Sequence, residues 1–314
     1  MSIETFHGGE RAMQAHAGVR ERLAIVGTQV IRSFMPEQHR AFFHQLPFIV
    51  IGNLDDAGQP WASLLAGPRG FIDAPDPQRL VIHTLPPSAS PLAPALKEGM
   101  SIGLLGIEAH TRRRNRMNGV VARRGVDGFE VDVRQSFGNC PKYIQARQAE
   151  FTQVRHPAPA AVRSARLDQQ ARALISAADT FYIATAHPAA AAGHDRAHGV
   201  DVSHRGGKPG FVRINYDVTL TVPDFTGNNF FNTLGNLHLN PRAGLLFADY
   251  ANGDLLHIAV DTQVVEDTHE VAAFAGAQRL LRLHVRETLL LPGALPLSWS
   301  QVEVSPYLAA TGHW

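Results

Sequence analysis

Ser63-Leu64-Leu65-Ala66-Gly67-Pro68-Arg69-Gly70-Phe71 returns roughly 140 positions on as Ser203-His204-Arg205-Gly206-Gly207-Lys208-Pro209-Gly210-Phe211. The matches continue outward. Leu80-Val81-Ile82-His83-Thr84 corresponds to Leu220-Thr221-Val222-Pro223-Asp224. Ile102-Gly103-Leu104-Leu105-Gly106 corresponds to Ala243-Gly244-Leu245-Leu246-Phe247 after a further shift of about one residue. Order and spacing both persist, which chance matches among Gly-rich turns would not produce. The chain therefore reads as two copies of one unit of about 100–120 residues, in keeping with a length of 314.

Each copy reads as β. The run Phe48 to Leu54 is short, apolar and rich in β-branched residues. It ends at Asp55-Asp56-Ala57-Gly58, where Asp and Gly tolerate the backbone angles of a tight turn. Further strands are expected over 61–65, 79–84, 101–107, 119–122 and 129–133, and the second copy restarts at 180–184. Many short strands separated by turns suggest a barrel or a sandwich. Leu23, Val26, Val30 and Phe34 share a helical face, Pro36 suits the first residue of another helix, and Asp168 suits the cap of a helix through Ala171, Leu174 and Ile175. The expected organisation is a helical segment over 1–45, one β unit over 46–150, a linker over 151–167 and a second β unit over 168–314. The fold class is mainly β with peripheral helices (α+β).

Composition narrows the function. Hydrophobic residues make up 45% and charged residues 18%, a globular mix rather than a disordered one. Twenty-nine Lys and Arg stand against 28 Asp and Glu, so no broad field draws nucleic acid or an anionic membrane. No apolar run is long enough to span a bilayer, and 1–10 lacks a signal-peptide core, so a cytoplasmic location is expected. The one cysteine, Cys140, excludes an intrachain disulfide framework and a Cys-rich zinc site, and a small buried hydrophobe is its expected role. His194 and His198 have helical ligand spacing but no evident third ligand. Ser203 and His204 are adjacent on a strand and point to opposite faces, which excludes a direct nucleophile–base pair.

The stretch Val202-Ser203-His204-Arg205-Gly206-Gly207, followed by Gly210-Phe211, Leu220 to Asp224, Gly227-Asn228-Asn229 and Asn240-Pro241-Arg242-Ala243-Gly244, resembles the pyridoxamine 5'-phosphate oxidase-like family of FMN-binding split barrels. The first copy closes with Phe137-Gly138-Asn139-Cys140-Pro141-Lys142-Tyr143, which resembles the Cys-Pro-Lys segment of single-unit relatives. The resemblance runs from about Phe48 to Val285 in two copies. It implies two tandem split β-barrels, non-covalently bound FMN, and a cofactor groove between paired barrels. It also implies an oxidoreductase that moves hydride or electrons through flavin N5, served by a small-molecule substrate or a separate electron donor. Pairing as a homodimer is a further possibility.

A dianionic phosphate needs several N–H or hydroxyl donors or a cation. Asn228, Asn229 and Thr233 offer such donors, and a helix starting near Asn229 would add free backbone N–H groups. Arg205 supplies a guanidinium from the neighbouring strand. The oxidase relatives place Ser-Arg-Lys where this chain has Gly227-Asn228-Asn229, so Arg205 or a first-copy arginine must supply the missing charge. Thr111-Arg112-Arg113-Arg114-Asn115-Arg116 offers three: on a strand Arg112, Arg114 and Arg116 share one face, while Arg113 takes the other. That face could meet the flavin pyrimidine ring, or it could be a solvated edge guarded by charge. By its place in the resemblance, the candidate site also includes Ser203, His204, Asp224 and Lys142. The alternative to an enzyme is a non-catalytic flavin or haem carrier, or a scaffold of the same fold without a cofactor.

Overall fold

The computed structural model describes residues 5–152, 160–192, 195–216 and 218–314. Three helices open the chain: α1 (Gly8–His16), α2 (Arg20–Val30) and α3 (Glu37–His44). The first sheet comprises β1 (Phe48–Leu54), β2 (Pro60–Ala66), β3 (Ile72–Asp76), β4 (Arg79–Ile82), β5 (Ser101–Glu108), β6 (Arg113–Arg124) and β7 (Phe129–Gly138), with the short α4 (Leu92–Ala95) between β4 and β5. After the short β8 (Ala149–Phe151), β9 (Val162–Ser164) and α5 (Gln169–Ala177) comes the second sheet. Its strands are β10 (Thr180–Ala186), β11 (Val200–Gly206), β12 (Arg213–Ile214), β13 (Thr219–Phe225), β14 (Arg242–Ala248), β15 (Leu255–Val265) and β16 (Ala277–Leu291). It also carries α6 (Asn232–Leu239) and α7 (Thr268–Ala272), and the chain ends after β17 (Leu297–Trp299).

The strand orders are β2-β1-β5-β6-β7-β4-β3 and β11-β10-β14-β15-β16-β13-β12. Read position for position, these are one order, and the recurrent turn shows why. A Cβ on Gly67 would meet Phe71 Cγ at 2.5 Å, and one on Gly207 would meet Phe211 Cγ at 2.2 Å. Each Phe folds back over the glycine that opens its turn, and Gly70 and Gly210 supply φ values of +89° and +85° that a side chain would oppose. Asp168 caps α5 by accepting from the Ala171 amide at 2.8 Å, as its position in the sequence suggests.

The halves also meet reciprocally. A Cβ on Gly103 of β5 would lie 2.4 Å from the Val200 carbonyl oxygen of β11, and one on Gly244 of β14 would lie 2.3 Å from the Pro60 carbonyl oxygen of β2. Backbones can approach this closely only where no side chain intervenes. Phe48, Val50, Leu64 and Leu105 of the first half then share one apolar cluster with Tyr182, Ala184, Val202 and Leu246 of the second. Burial on this scale stabilises each aliphatic side chain by about 1.5–3 kcal/mol.

Several expectations change. The face through Phe34 stops early: α2 ends at Val30, and Phe34 is exposed. Pro36 precedes α3 as its N-cap. The stretch expected as linker contains β9, which pairs with β16; residues 153–159 lie outside the described residues. Strands β6 and β7 run well past 119–122 and 129–133, because the arginine run continues the pairing out to Glu108↔Arg113. Cys140 is half-buried rather than buried. His194 lies outside the described residues, and His198 stacks on His187 at 3.8 Å between ring centroids. Among the described residues no His/Cys/Asp/Glu group could hold a metal ion, and no helix is long and apolar enough to cross a membrane.

Candidate functional site

A cleft opens between the halves. The first half contributes Arg114 and Arg116 on β6 and Asn139 beyond β7. The second contributes Ser203 to Arg205 on β11, Asp224 on β13, the loop 227–231, the first turn of α6 and Arg279 on β16. Strand alternation sends Arg114 and Arg116 to the cleft, while Met117, on the opposite face from Arg116, enters the first-half core and Arg113 lies over the Phe42 ring at 4.5 Å.

Arg116 is 3% exposed. It donates to Asp201 Oδ1 at 2.8 Å and to the Ser203 hydroxyl. Asp201 is already occupied, accepting from Asn118 at 2.8 Å and from Asn236 at 3.1 Å. Thr233 Oγ1 donates to Ser203 Oγ at 3.1 Å. Arg205 lies 3.1 Å from Asp224 Oδ1, and Arg279 lies 2.9 Å from Oδ2 of the same carboxylate. Asp224, which lines the cleft, therefore anchors two guanidinium groups.

Arg114 differs. Its Nε donates to the Cys140 carbonyl at 2.6 Å, and Nη1 reaches the His204 carbonyl at 3.4 Å. Among the described residues it has no carboxylate partner. Burial, then the charges of Arg116 and Arg205, pull its pKa down to about 9. His204 is buried, and burial followed by the nearby arginines holds its ring neutral, well below the usual range. Among the described residues, the buried side-chain N–H groups of Arg116 (Nε), Arg205 (Nε) and Asn139 (Nδ2) have no hydrogen-bond partner. Cations outnumber free anions here, and donors stand unused.

The loop before α6 points the same way. Asn228 Oδ1 accepts from the Phe230 amide at 3.1 Å, closing a turn. Asn229 and Phe231 hold φ values of 63° and 62°. Left-handed backbone at a bulky residue such as Phe231 costs on the order of 1–3 kcal/mol and clusters at ligand sites. Among the described residues no side chain caps α6, so its first amides remain available at the cleft.

Helix α1 braces α6 from behind. A Cβ on Gly9 would lie 2.1 Å from the Gly235 carbonyl oxygen, so the helices cross backbone to backbone. Glu10 accepts from Asn232 Nδ2 and, at 2.9 Å, from the His7 amide. Burial, then the charge of Asp201, raises its carboxyl pKa to about 8, while burial lowers the His7 ring to about 4. The folded protein thus holds the Glu10 proton through a pH range in which the unfolded chain releases it. Stability from this group is complete below about pH 4.5 and is lost as pH rises through about 8. Glu10→Gln should therefore flatten the fall in unfolding midpoint between pH 5 and about 8.5, measured in denaturant. An unchanged slope would remove Glu10 from that role.

Arg112, by contrast, lies outside the cleft. A left-handed turn (φ 59°) takes it off the strand, and it donates to the Ile144 carbonyl and pairs with Glu303 at 2.8 Å. Lys142 lines an adjoining small cavity with Cys140 and Tyr143, its ammonium 5.3 Å from the centroid of the Tyr307 ring. That cavity shares Arg114, His204, Arg205 and Phe225 with the cleft. Arg279, Asn139 and Asn232 are cleft residues that sequence reasoning missed. Arg279 enters by pairing across the sheet with Asp224, a relation visible only once the strand order is known. Helix α1 falls within the helical segment expected over 1–45, and His7 and Glu10 close its start as a capping box.

No family model and no curated protein matches the chain. Among solved structures it is similar to a variant of HupZ from Group A Streptococcus, at 13% identity and a TM-score of 0.31, covering 40% of this chain and 99% of that one. It is similar to a candidate pyridoxamine 5'-phosphate oxidase from Lactobacillus delbrueckii, at 16% identity and 0.31, covering 40% and 94%. An FMN-binding protein from Syntrophomonas wolfei follows at 12% and 0.27, covering 38% and 86%.

Proposed function

We propose that the chain binds FMN non-covalently in the cleft between its halves and acts as an oxidoreductase, the halves being two split barrels of one duplicated unit. The observation that carries this reading is the meeting of Arg114, Arg116, Arg205 and Arg279 with unused N–H donors and an uncapped helix start at one cleft. A phosphate dianion fits that set, because charge-assisted hydrogen bonds replace the missing partners. Arg205, held by Asp224, and the α6 amides, with Thr233 beside them, would hold the phosphate. Arg114 would face the more polar end of the ring, and Phe225 and Tyr143, with ring centroids 5.0 Å apart, would supply apolar surface beyond it. Bound FMN supplies a two-electron redox centre. The chain's own part is to bind, to orient and to place fixed positive charge where negative charge grows. A small-molecule substrate or a separate electron donor completes the reaction.

Mass spectrometry of the ligand released on denaturation tests the cofactor: a compound of FMN mass is expected, and a haem mass would favour the carrier reading. Arg205→Ala should weaken FMN retention by roughly 1.5–3 kcal/mol, the worth of a charged hydrogen bond. Equal affinity in an equilibrium titration would move the phosphate elsewhere.

A further inference from the structure

The shared strand order lets each cleft residue be traced to its counterpart in the opposite half. Ile183 pairs with Ser203 as Ile51 pairs with Ser63, and Leu105 pairs with Arg116 as Leu246 pairs with His257. By the same register Leu255 stands where Arg114 does and Leu64 where His204 does. Leu291 occupies the place of Asn139.

One polar trace of the cleft persists at the counterpart position. Ser90 Oγ, just ahead of α4, donates to Ser63 Oγ at 3.4 Å, as Thr233 in α6 donates to Ser203. The cations do not persist. His257 is 1% exposed, its Nδ1 lies 2.8 Å from the Ala62 carbonyl oxygen, and burial lowers its pKa to about 4, so it is neutral. Leu64, Leu255 and Leu291 belong to one apolar cluster with Leu295 and Leu297, which come from the chain after β16. Strand β17 is tied down by pairing with β8, and the Trp299 ring packs on Phe48 and Tyr250 at 5.4 and 4.6 Å between centroids. A phosphate placed there would meet leucines and a neutral imidazole and would lose its hydration without compensation.

We infer that the chain has one anion-binding cleft rather than two, and that its own segment 295–299 occupies the counterpart position as a built-in plug. The inference rests on register and packing and stands apart from the identity of the cofactor.

The two positions can be compared directly. In a Cys140→Ser background, Ser203→Cys and Ser63→Cys are made separately and treated with methyl methanethiosulfonate under native conditions, with modification followed by intact mass. Modification of Ser203→Cys should be at least about tenfold faster, because the Ser63 position is fully buried and reacts only through local opening. Adding Leu297→Ala to a third variant, Leu64→Cys, should speed its reaction, because Leu64 shares the apolar cluster with Leu297, and should leave the Ser203→Cys rate unchanged. A difference below tenfold would overturn the single cleft, and a Leu64→Cys rate indifferent to Leu297→Ala would overturn the plug. The unmodified chain offers an arm that does not depend on these variants folding. FMN titration should saturate at one per chain, and saturation at two would also overturn the inference. Absence of FMN binding would count against the proposed function alone, leaving the thiol rates to decide this one.

Discussion

Gly244→Ala is expected to cost about 3 kcal/mol, the upper part of the usual range for forcing atoms into a packed interior. The added methyl would stand 2.3 Å from the Pro60 carbonyl oxygen and 2.6 Å from Trp61 Cα. Both neighbours are backbone, so no flexible side chain can swing aside. Relief would require β14 to lift from β2, opening the apolar cluster that joins the halves. Gly103→Ala should behave alike, since its methyl would meet the Val200 carbonyl oxygen at 2.4 Å. Gly199→Ala is the control: none of the described residues lies within 4 Å of its Cβ position, and a change within about 0.5 kcal/mol is expected. Denaturant midpoints at constant m-value measure all three. If Gly244→Ala and Gly199→Ala unfold together, the halves are not clamped at these glycines.

Arg114→Met should separate stability from binding. Without a carboxylate partner among the described residues, Arg114 keeps its charge against its surroundings, as its lowered pKa records. For a base whose folded pKa falls to about 9, the penalty is fully present below that value and is relieved only as pH rises from there towards the ordinary guanidinium range. At neutral pH an uncharged side chain of similar length should therefore leave the ligand-free protein at least as stable as the parent. The same change should lower affinity for FMN by roughly ten- to hundredfold, the loss expected for one charged hydrogen bond. Thermal melts with and without FMN read both effects. A variant that is destabilised when ligand-free, or that binds FMN like the parent, would show that Arg114 serves packing rather than an anion.

What the sequence disclosed was local. Gly67, Gly70, Gly207 and Gly210 were legible because a turn imposes its own backbone requirements within five residues. Asp168 was legible for the same reason. The arginine run was legible as alternation, yet Arg112 escaped it because a turn with positive φ ends just where the strand begins. Arg279, Asn139 and Asn232 were not legible, because each joins the cleft through a partner distant in sequence. The role of Asp224 changed for that reason: from the sequence it was one more polar group near a loop, whereas across β13 and β16 it becomes the anchor of two guanidinium groups. The depressed or raised pKa values of Arg114, Glu10 and His7 also arise from burial, which only packing creates.

The bracing of α6 by α1 carries a consequence for the order of assembly. Gly9 lies against Gly235 and Glu10 against Asn232, so the cleft joins α1 to a helix 222 positions later in the chain. Contacts of such long sequence separation are entropically costly to close and form late. An occupant of the cleft would then act as a rivet through the last-formed seam, raising the melting temperature with its concentration as mass action requires.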